Sequence, residues 1–213
     1  MTSALVVGAT GVVGREVVQQ LCEDTNYSRV VVLSRRPLTF SHPKLTVHIV
    51  DFDEQKSWSE LVNTDVVYCA LGTTLKQAGS KAQQRKIDLD LPLSIATVAK
   101  KLNVKQFVLV SSSGANPNSS SFYFQTKGQL EQELIALNFS QLLIVRPSVL
   151  VGQRSERRFG ELTAAFVLNK LAWLPGLSKY QPIKGSTVAK AMLYFAKQAH
   201  NSVEIKQLNE LFI

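Results

Sequence analysis

Short apolar runs recur along the first 150 residues of this chain, and between them the apolar positions switch to helical spacing. Ala4-Leu5-Val6-Val7 is unbroken, as is Val30-Val31-Val32-Leu33 within Arg29 to Ser34, while Leu45 to Phe52 alternates. Asp65 to Leu71, Lys105 to Val110 and Gln141 to Arg146 supply three more runs. Continuous apolar runs of this length suit strands buried on both faces, the habit of parallel sheets. The stretches between them predict helices: one through Leu21 and ending near Asp24, one from about Lys81 to Leu102, and one from Phe122 to about Leu137. Pro92 falls inside the second, so a kink or a split is expected there. The polar segment from Leu75 to Ala82, with Gly79, reads as a mobile lid loop. Strands alternating with helices predict an α/β fold with a doubly wound parallel sheet.

After Ser148 the pattern predicts a basic, glycine-bearing loop over Gly152–Gly160, an apolar helix over Leu162–Leu174 and a turn at Pro175-Gly176. A short segment at Pro182-Ile183 and a helix over Val188–Gln198 complete it. With no linker and no repeat, residues 1–213 are expected to form one domain, with 152–213 as a small C-terminal lobe on the substrate side.

The first strand and helix are joined by Gly8-Ala9-Thr10-Gly11-Val12-Val13-Gly14. Directly after a buried strand, three glycines at this spacing predict a dinucleotide site. Gly8 permits the sharp turn, Gly11 lets a pyrophosphate approach the backbone, and Gly14 lets the helix lie close to the strand. The helix N-terminus then faces the phosphates, with Thr10, Val12 and Val13 completing the turn. At the end of the second strand, where an acidic residue would select NAD, stand Ser34, Arg35 and Arg36. A hydroxyl and two guanidiniums suit a 2′-phosphate, so NADP(H) is preferred over NAD(H). Asp51 and Phe52 end the third strand; there they would meet the adenine, or Asp51 would cap a short helix beginning near Gln55. Ala70, Leu71 and Gly72 end the fourth and leave room for the cofactor's ribose and nicotinamide.

Ser111, Ser112 and Ser113 end the fifth strand, and Tyr123 and Lys127 follow, four apart and thus on one helical face. A tyrosine general acid needs this geometry, because an ammonium beside the phenol brings its pKa down from about 10 towards working pH. Such a pair is weak evidence alone. Tyr180 and Lys184 share the spacing, but Pro182 between them forbids a continuous helix. Context favours Tyr123 and Lys127.

Composition adds exclusions. The chain is 45% hydrophobic, ordinary for a globular domain. Cys22 and Cys69 show no paired spacing, and His42, His48 and His200 are scattered, so neither a disulfide framework nor a metal site is expected. No apolar run reaches the ~20 residues of a membrane span, and the first strand starts too early for a signal peptide, so a cytoplasmic location is expected. The net charge is +8. Its basic residues are dispersed and lack interleaved aromatics, so an anionic cofactor fits better than nucleic acid.

With Gly8 to Gly14, Ser111 to Ser113, Tyr123-Phe124-Gln125-Thr126-Lys127 and Arg146-Pro147, the sequence resembles the atypical, extended-like branch of the short-chain dehydrogenase/reductase superfamily. Cys69 to Thr74, Ser111 to Asn116 and Tyr123 to Gly128 are similar to the oxidoreductase Tat-interactive-protein subgroup and its bacterial relatives. The resemblance implies a Rossmann-type sheet of six or seven strands. It also implies Tyr123 as general acid/base, Lys127 as its partner and ribose ligand, and Ser112 orienting a substrate carbonyl, with Ser113 the alternate. Pro147 and Ser148 would flank the nicotinamide. Two departures stand out: Asp88 takes the place of an asparagine that serves a water relay, and only a short loop separates Ser113 from Tyr123. The function implied is an NADP(H)-dependent oxidoreductase acting on a carbonyl or alcohol, as a monomer or homodimer. A cofactor-sensing regulator with a protein partner and a sugar-nucleotide epimerase or dehydratase are the alternatives.

Overall fold

The computed structural model describes residues 2–151, 181–198 and 203–213. The elements expected over 152–176, and Tyr180, lie outside them. In chain order the elements are β1 (Thr2–Val7), α1 (Val12–Glu23), β2 (Tyr27–Ser34), β3 (Leu45–Ile49), β4 (Val66–Cys69), α2 (Leu75–Ala78) and α3 (Lys81–Arg85). A π-helical turn (Lys86–Asp90) leads to α4 (Leu91–Lys101), β5 (Gln106–Val110), α5 (Phe122–Ala136), β6 (Gln141–Arg146), β7 (Leu150–Val151), β8 (Ile183–Lys184), α6 (Gly185–Lys197) and β9 (Val203–Gln207).

Seven strands form one sheet in the order β3-β2-β1-β4-β5-β6-β9, each pairing parallel, and β7 and β8 pair separately. Residues alternate between two cores, as the strand period of two requires. Ala4, Val6, Val30, Val32, Tyr68, Val108 and Val145 pack with Val13, Val17 and Leu21 of α1 and Val188 and Met192 of α6. Leu5, Val7, Val31, Val67, Leu109 and Ile144 pack with Ile95 and Ala99 of α4 and Leu130 and Leu134 of α5. Each such large aliphatic side chain contributes about 1.5–3 kcal/mol on leaving water. Burial on both sheet faces is why these strands read as unbroken apolar runs. The expected Rossmann-type doubly wound sheet is observed.

The sheet reverses direction between β1 and β4, and at that switch the strand ends open a crevice. Gly8 has φ +86°, and a Cβ there would sit 2.5 Å from the Ala70 carbonyl carbon. At Gly14 a Cβ would lie 2.2 Å from the Gly8 oxygen, so only glycine lets α1 start this close to β1.

Four expectations change. The predicted loop over 75–82 is largely helical: α2 is capped by the Thr74 hydroxyl, which accepts the Gln77 N–H, then broken by left-handed Gly79 and restarted as α3 by Ser80. Pro92 neither splits nor ends its helix; the π turn just before it absorbs the missing N–H. Asp51 does not cap a helix at Gln55. Glu54 is the N-terminal flank there without a side-chain cap, and Asp51 instead accepts the Asp53 N–H at 2.9 Å. Finally, β9 adds a seventh strand that the apolar pattern did not mark, since its residues alternate with charge on an exposed edge.

Candidate functional site

α1 begins with Gly11 at its N-terminal flank, where no side chain caps the helix and no acidic residue occupies the first turn. The Gly11 N–H bonds back to the Gly8 carbonyl at 2.9 Å, which closes the turn. From here a cavity of about 600 Å³ extends across the ends of β4, β5 and β6. It is lined by Val12 and Val13, Ala70 to Thr74, Ser111 to Ser113, Tyr123, Lys127, Pro147 and Ser148. These are eleven of the residues singled out above and the alternate Ser113, together with Thr73 and Thr74.

The second group of predicted residues lies apart from this cavity. Ser34 is buried at the end of β2, and its hydroxyl accepts the Arg36 N–H at 3.2 Å. Arg35 and Arg36 are exposed just beyond it, and Asp51 is exposed beyond β3. Phe52 leans on Trp58, with ring centroids 6.3 Å apart. All sit at the same sheet edge as the glycine turn, on its other side, where β2 and β3 end.

The catalytic candidates are held by α5. Gly128 is the reason this helix can pack so tightly: a Cβ there would meet the Pro117 nitrogen at 2.2 Å, so the loop after Ser113 lies directly on the helix backbone. Tyr123 is half-buried and packs against Phe124. Lys127, one turn later, is 2% exposed. Its ammonium donates to the Leu71 carbonyl at 3.4 Å and stands 3.8 Å from Asp88 Oδ1. Asp88, in the π turn, is fully buried and accepts the Thr73 N–H at 2.8 Å. Burial pushes its carboxyl above the ordinary range, against the opposing pull of Lys127 and the Thr73 amide; Gln84 adds the weakest of the interactions favouring its charge. Cys69 behind it is raised to about 11 by burial and is therefore neutral.

One turn beyond Lys127, Glu131 receives Arg146 in a bidentate pair, Nε on Oε1 at 3.0 Å and Nη2 on Oε2. That pair fixes α5 to the end of β6, immediately before Pro147 and Ser148. Ser148 donates to the Gln181 carbonyl, while the Ser113 N–H donates to the Pro147 carbonyl at 3.0 Å.

Two buried side-chain polar atoms among the described residues lack a hydrogen-bond partner, Ser111 Oγ and Asp88 Oδ2. Ser111 also lines the cavity. Together with the uncapped helix start and the glycine cradle, this orphaned hydroxyl fits a site shaped for a polar, phosphate-bearing cofactor. Sequence reasoning missed Gln84, Phe122 and Phe124 as lining residues. The two phenylalanines flank Tyr123, and that adjacency was the available signal. Among the described residues no cluster suits a metal ion, and no helix is long and apolar enough to cross a membrane.

Comparison with known proteins agrees with this geometry. A family model described as NAD(P)H-binding matches residues 8–165. The FMP52 protein of Candida albicans is 36% identical over 207 residues, 93% of this chain and 90% of that protein. Protein HTATIP2 of Rattus norvegicus is 34% identical, covering 90% of this chain and 79% of its own. The enzyme WbmH of Bordetella bronchiseptica, solved with NAD+, superposes with a TM-score of 0.72 at 16% identity, over 97% of this chain and 75% of that one, which is a likeness of fold. The cytoplasmic expectation is corrected by these relatives, because the FMP52 proteins of three fungi are named mitochondrial. Neither an early first strand nor the lack of a long apolar helix among the described residues decides the compartment. With its glycine turn, parallel sheet and Tyr-Lys helix at one crevice, the chain belongs to the NAD(P)H-binding, atypical short-chain dehydrogenase/reductase family that includes FMP52 and HTATIP2.

Proposed function

We propose that this chain is an NADP(H)-dependent reductase of a carbonyl compound, or the corresponding alcohol dehydrogenase. The observation that carries the reading is the joint placement of Tyr123, Ser112 and a buried Lys127 on one cavity that begins at the glycine turn. Gly8, Thr10, Gly11, Val12, Val13 and Gly14 would hold the pyrophosphate. Ser34, Arg35 and Arg36 would hold the 2′-phosphate, with Asp51 and Phe52 beside the adenine. Ala70, Leu71, Gly72, Ser111, Pro147 and Ser148 would line the nicotinamide end. The bound cofactor supplies hydride chemistry.

The chain's own share is orientation and a proton. Ser112 Oγ donates a hydrogen bond to the substrate oxygen and sets its position. Tyr123 Oη gives its proton to that oxygen as the carbon is reduced, a contribution of about 10²- to 10⁴-fold. Lys127 keeps positive charge beside the proton in transit and reaches the ribose. The phenyl rings of Phe122 and Phe124 keep water away from the reacting carbon. From Gly185 onward the described chain is part of the main sheet layers, which supports one domain. The relatives' names favour a mitochondrial location, which cell fractionation checks.

The test is NADPH oxidation against a panel of aldehydes and ketones. Tyr123→Phe is expected to lower turnover about 10²- to 10⁴-fold and leave NADPH affinity within a few-fold. Tight NADPH binding without Tyr123-dependent turnover would reject the reductase and leave a cofactor sensor.

A further inference from the structure

We propose that Asp88 is a positioning residue for the reaction: its carboxylate, bonded to the Thr73 amide and facing the Lys127 ammonium, keeps that lysine in a charge-neutral buried pair, and the site works only while Asp88 is ionised. This rests on the reductase reading above.

The geometry is a small triangle among three elements. Leu71 and Thr73 belong to the loop after β4, Asp88 to the π turn, and Lys127 to α5. The ammonium has one long hydrogen bond, 3.4 Å to the Leu71 carbonyl, and the carboxylate at 3.8 Å. Asp88 Oδ1 is shared between that ammonium and the Thr73 N–H at 2.8 Å, so one oxygen fixes the loop and the lysine together. Gly72 closes the triangle on the cavity side. A Cβ there would lie 3.5 Å from Lys127 Nζ and 3.6 Å from Asp88 Oδ1, in contact with both charges.

The backbone is adapted to this placement. Pro92 has no N–H for the Asp88 carbonyl, and the widened π turn over Lys86–Asp90 accommodates the loss without breaking the helix. Such turns cluster at functional sites. Oδ2, buried and without a partner, is further evidence that the group is not placed for stability, since an orphaned buried carboxylate oxygen costs free energy.

An asparagine could accept the Thr73 N–H equally well but could not balance the ammonium. Other charges nearby are committed elsewhere. On the same helix Arg85 faces Asp90 and Lys86 faces Asp53, all at the surface. On α5 Glu131 holds Arg146, and on β4 the Cys69 thiol is neutral. Among the described residues, Lys127 is the cation that acts on Asp88.

Ionisation of Asp88 is opposed by its burial, so it takes up a proton above the ordinary carboxylate range. The folded form then binds a proton that the unfolded chain still lacks, and stability rises as pH falls through this window. Activity falls through the same window, because protonation dissolves the pair. A merely structural carboxylate would not separate the two in this way.

The experiment compares wild type, Asp88→Asn and Asp88→Glu in NADPH-dependent carbonyl reduction from about pH 5 to about pH 9, with melting temperatures over the same range. Asp88→Asn is expected to lower plateau kcat on the order of tenfold while the carbonyl KM stays within about threefold, and to lose the acid limb. Asp88→Glu keeps an acid limb. Wild type gains melting temperature relative to Asp88→Asn on acidification. Unchanged kcat and an unchanged acid limb in Asp88→Asn overturn the proposal alone. Absence of turnover in wild type removes the reductase reading and this proposal with it. Should neither variant fold, wild type decides: no acid limb above the ordinary carboxylate range is the overturning result.

Discussion

The two ends of the crevice handle charge in opposite ways. Beyond β2 and β3, Arg35, Arg36 and Asp51 are exposed, and the Asp51 side chain accepts the nearby Asp53 N–H. Beyond β4 to β6, Lys127, Asp88 and Glu131 are buried at 2%, 0% and 4% exposure, and each joins two or more elements. An exposed charge costs little to place and is screened by salt. A buried one must be matched, and removing its match costs several kcal/mol. On the function proposed above, cofactor preference is thus separable from folding, whereas the chemistry and the fold share residues.

The sharpest way to break the contrast is at the turn between the two ends. Gly8→Val puts a β-branched side chain at φ +86° against the Ala70 backbone. A loss of about 4 kcal/mol or more is expected in urea unfolding, with no NADPH binding. Next, Glu131→Gln leaves Arg146 without its anion at the buried end, and about 3 kcal/mol of stability should go. At the exposed end, Arg35→Ala combined with Arg36→Ala should weaken NADPH about tenfold, equal to about 1.4 kcal/mol, and leave NADH affinity and melting temperature unchanged. Raising salt should reproduce most of that loss in wild type by titration. Smallest, Thr74→Ala removes the cap of α2, worth about 0.5–1 kcal/mol of local order, read as faster amide exchange over 75–78. Equal stability losses at Arg35/Arg36 and at Glu131 would erase the distinction.

How much of this was legible in the sequence follows the same division between local and distant. The glycine turn and the Tyr123–Lys127 spacing are local, and an apolar strand on one side and a helix on the other framed them. Five strands could be read because both their faces are buried, and β3 because its apolar positions alternate. β9 could not, since on an edge Val203 and Ile205 alternate with Glu204 and Lys206 and no apolar run results. Pro92 announced a disturbance without its form, because a π turn depends on what the surrounding residues pack against. Spacing alone could not give the Asp88–Lys127 pair: the resemblance singled out Asp88, but the pair's members are far apart in the chain, and only the packing of α5 on the π turn brings them together. Asp51 shows the converse. Its side chain accepts the nearby Asp53 amide in an Asx turn, a local contact that was neither of the two roles the sequence offered it.

Gly185, the first residue of α6, bears on how the protein is made. A Cβ there would meet the Val12 carbonyl oxygen at 2.5 Å, so the start of α6 sits on the backbone of the opening turn of α1. Two elements made far apart in synthesis, α1 and α6, are therefore neighbours, and parallel pairing offers no local hairpin to hold the strands between them meanwhile. The nascent chain carries its glycine turn without this contact until Gly185 has been made. Association of α6 completes the turn's surroundings only after β1 to β6 have been released, so the cofactor cradle matures after the strands that carry it.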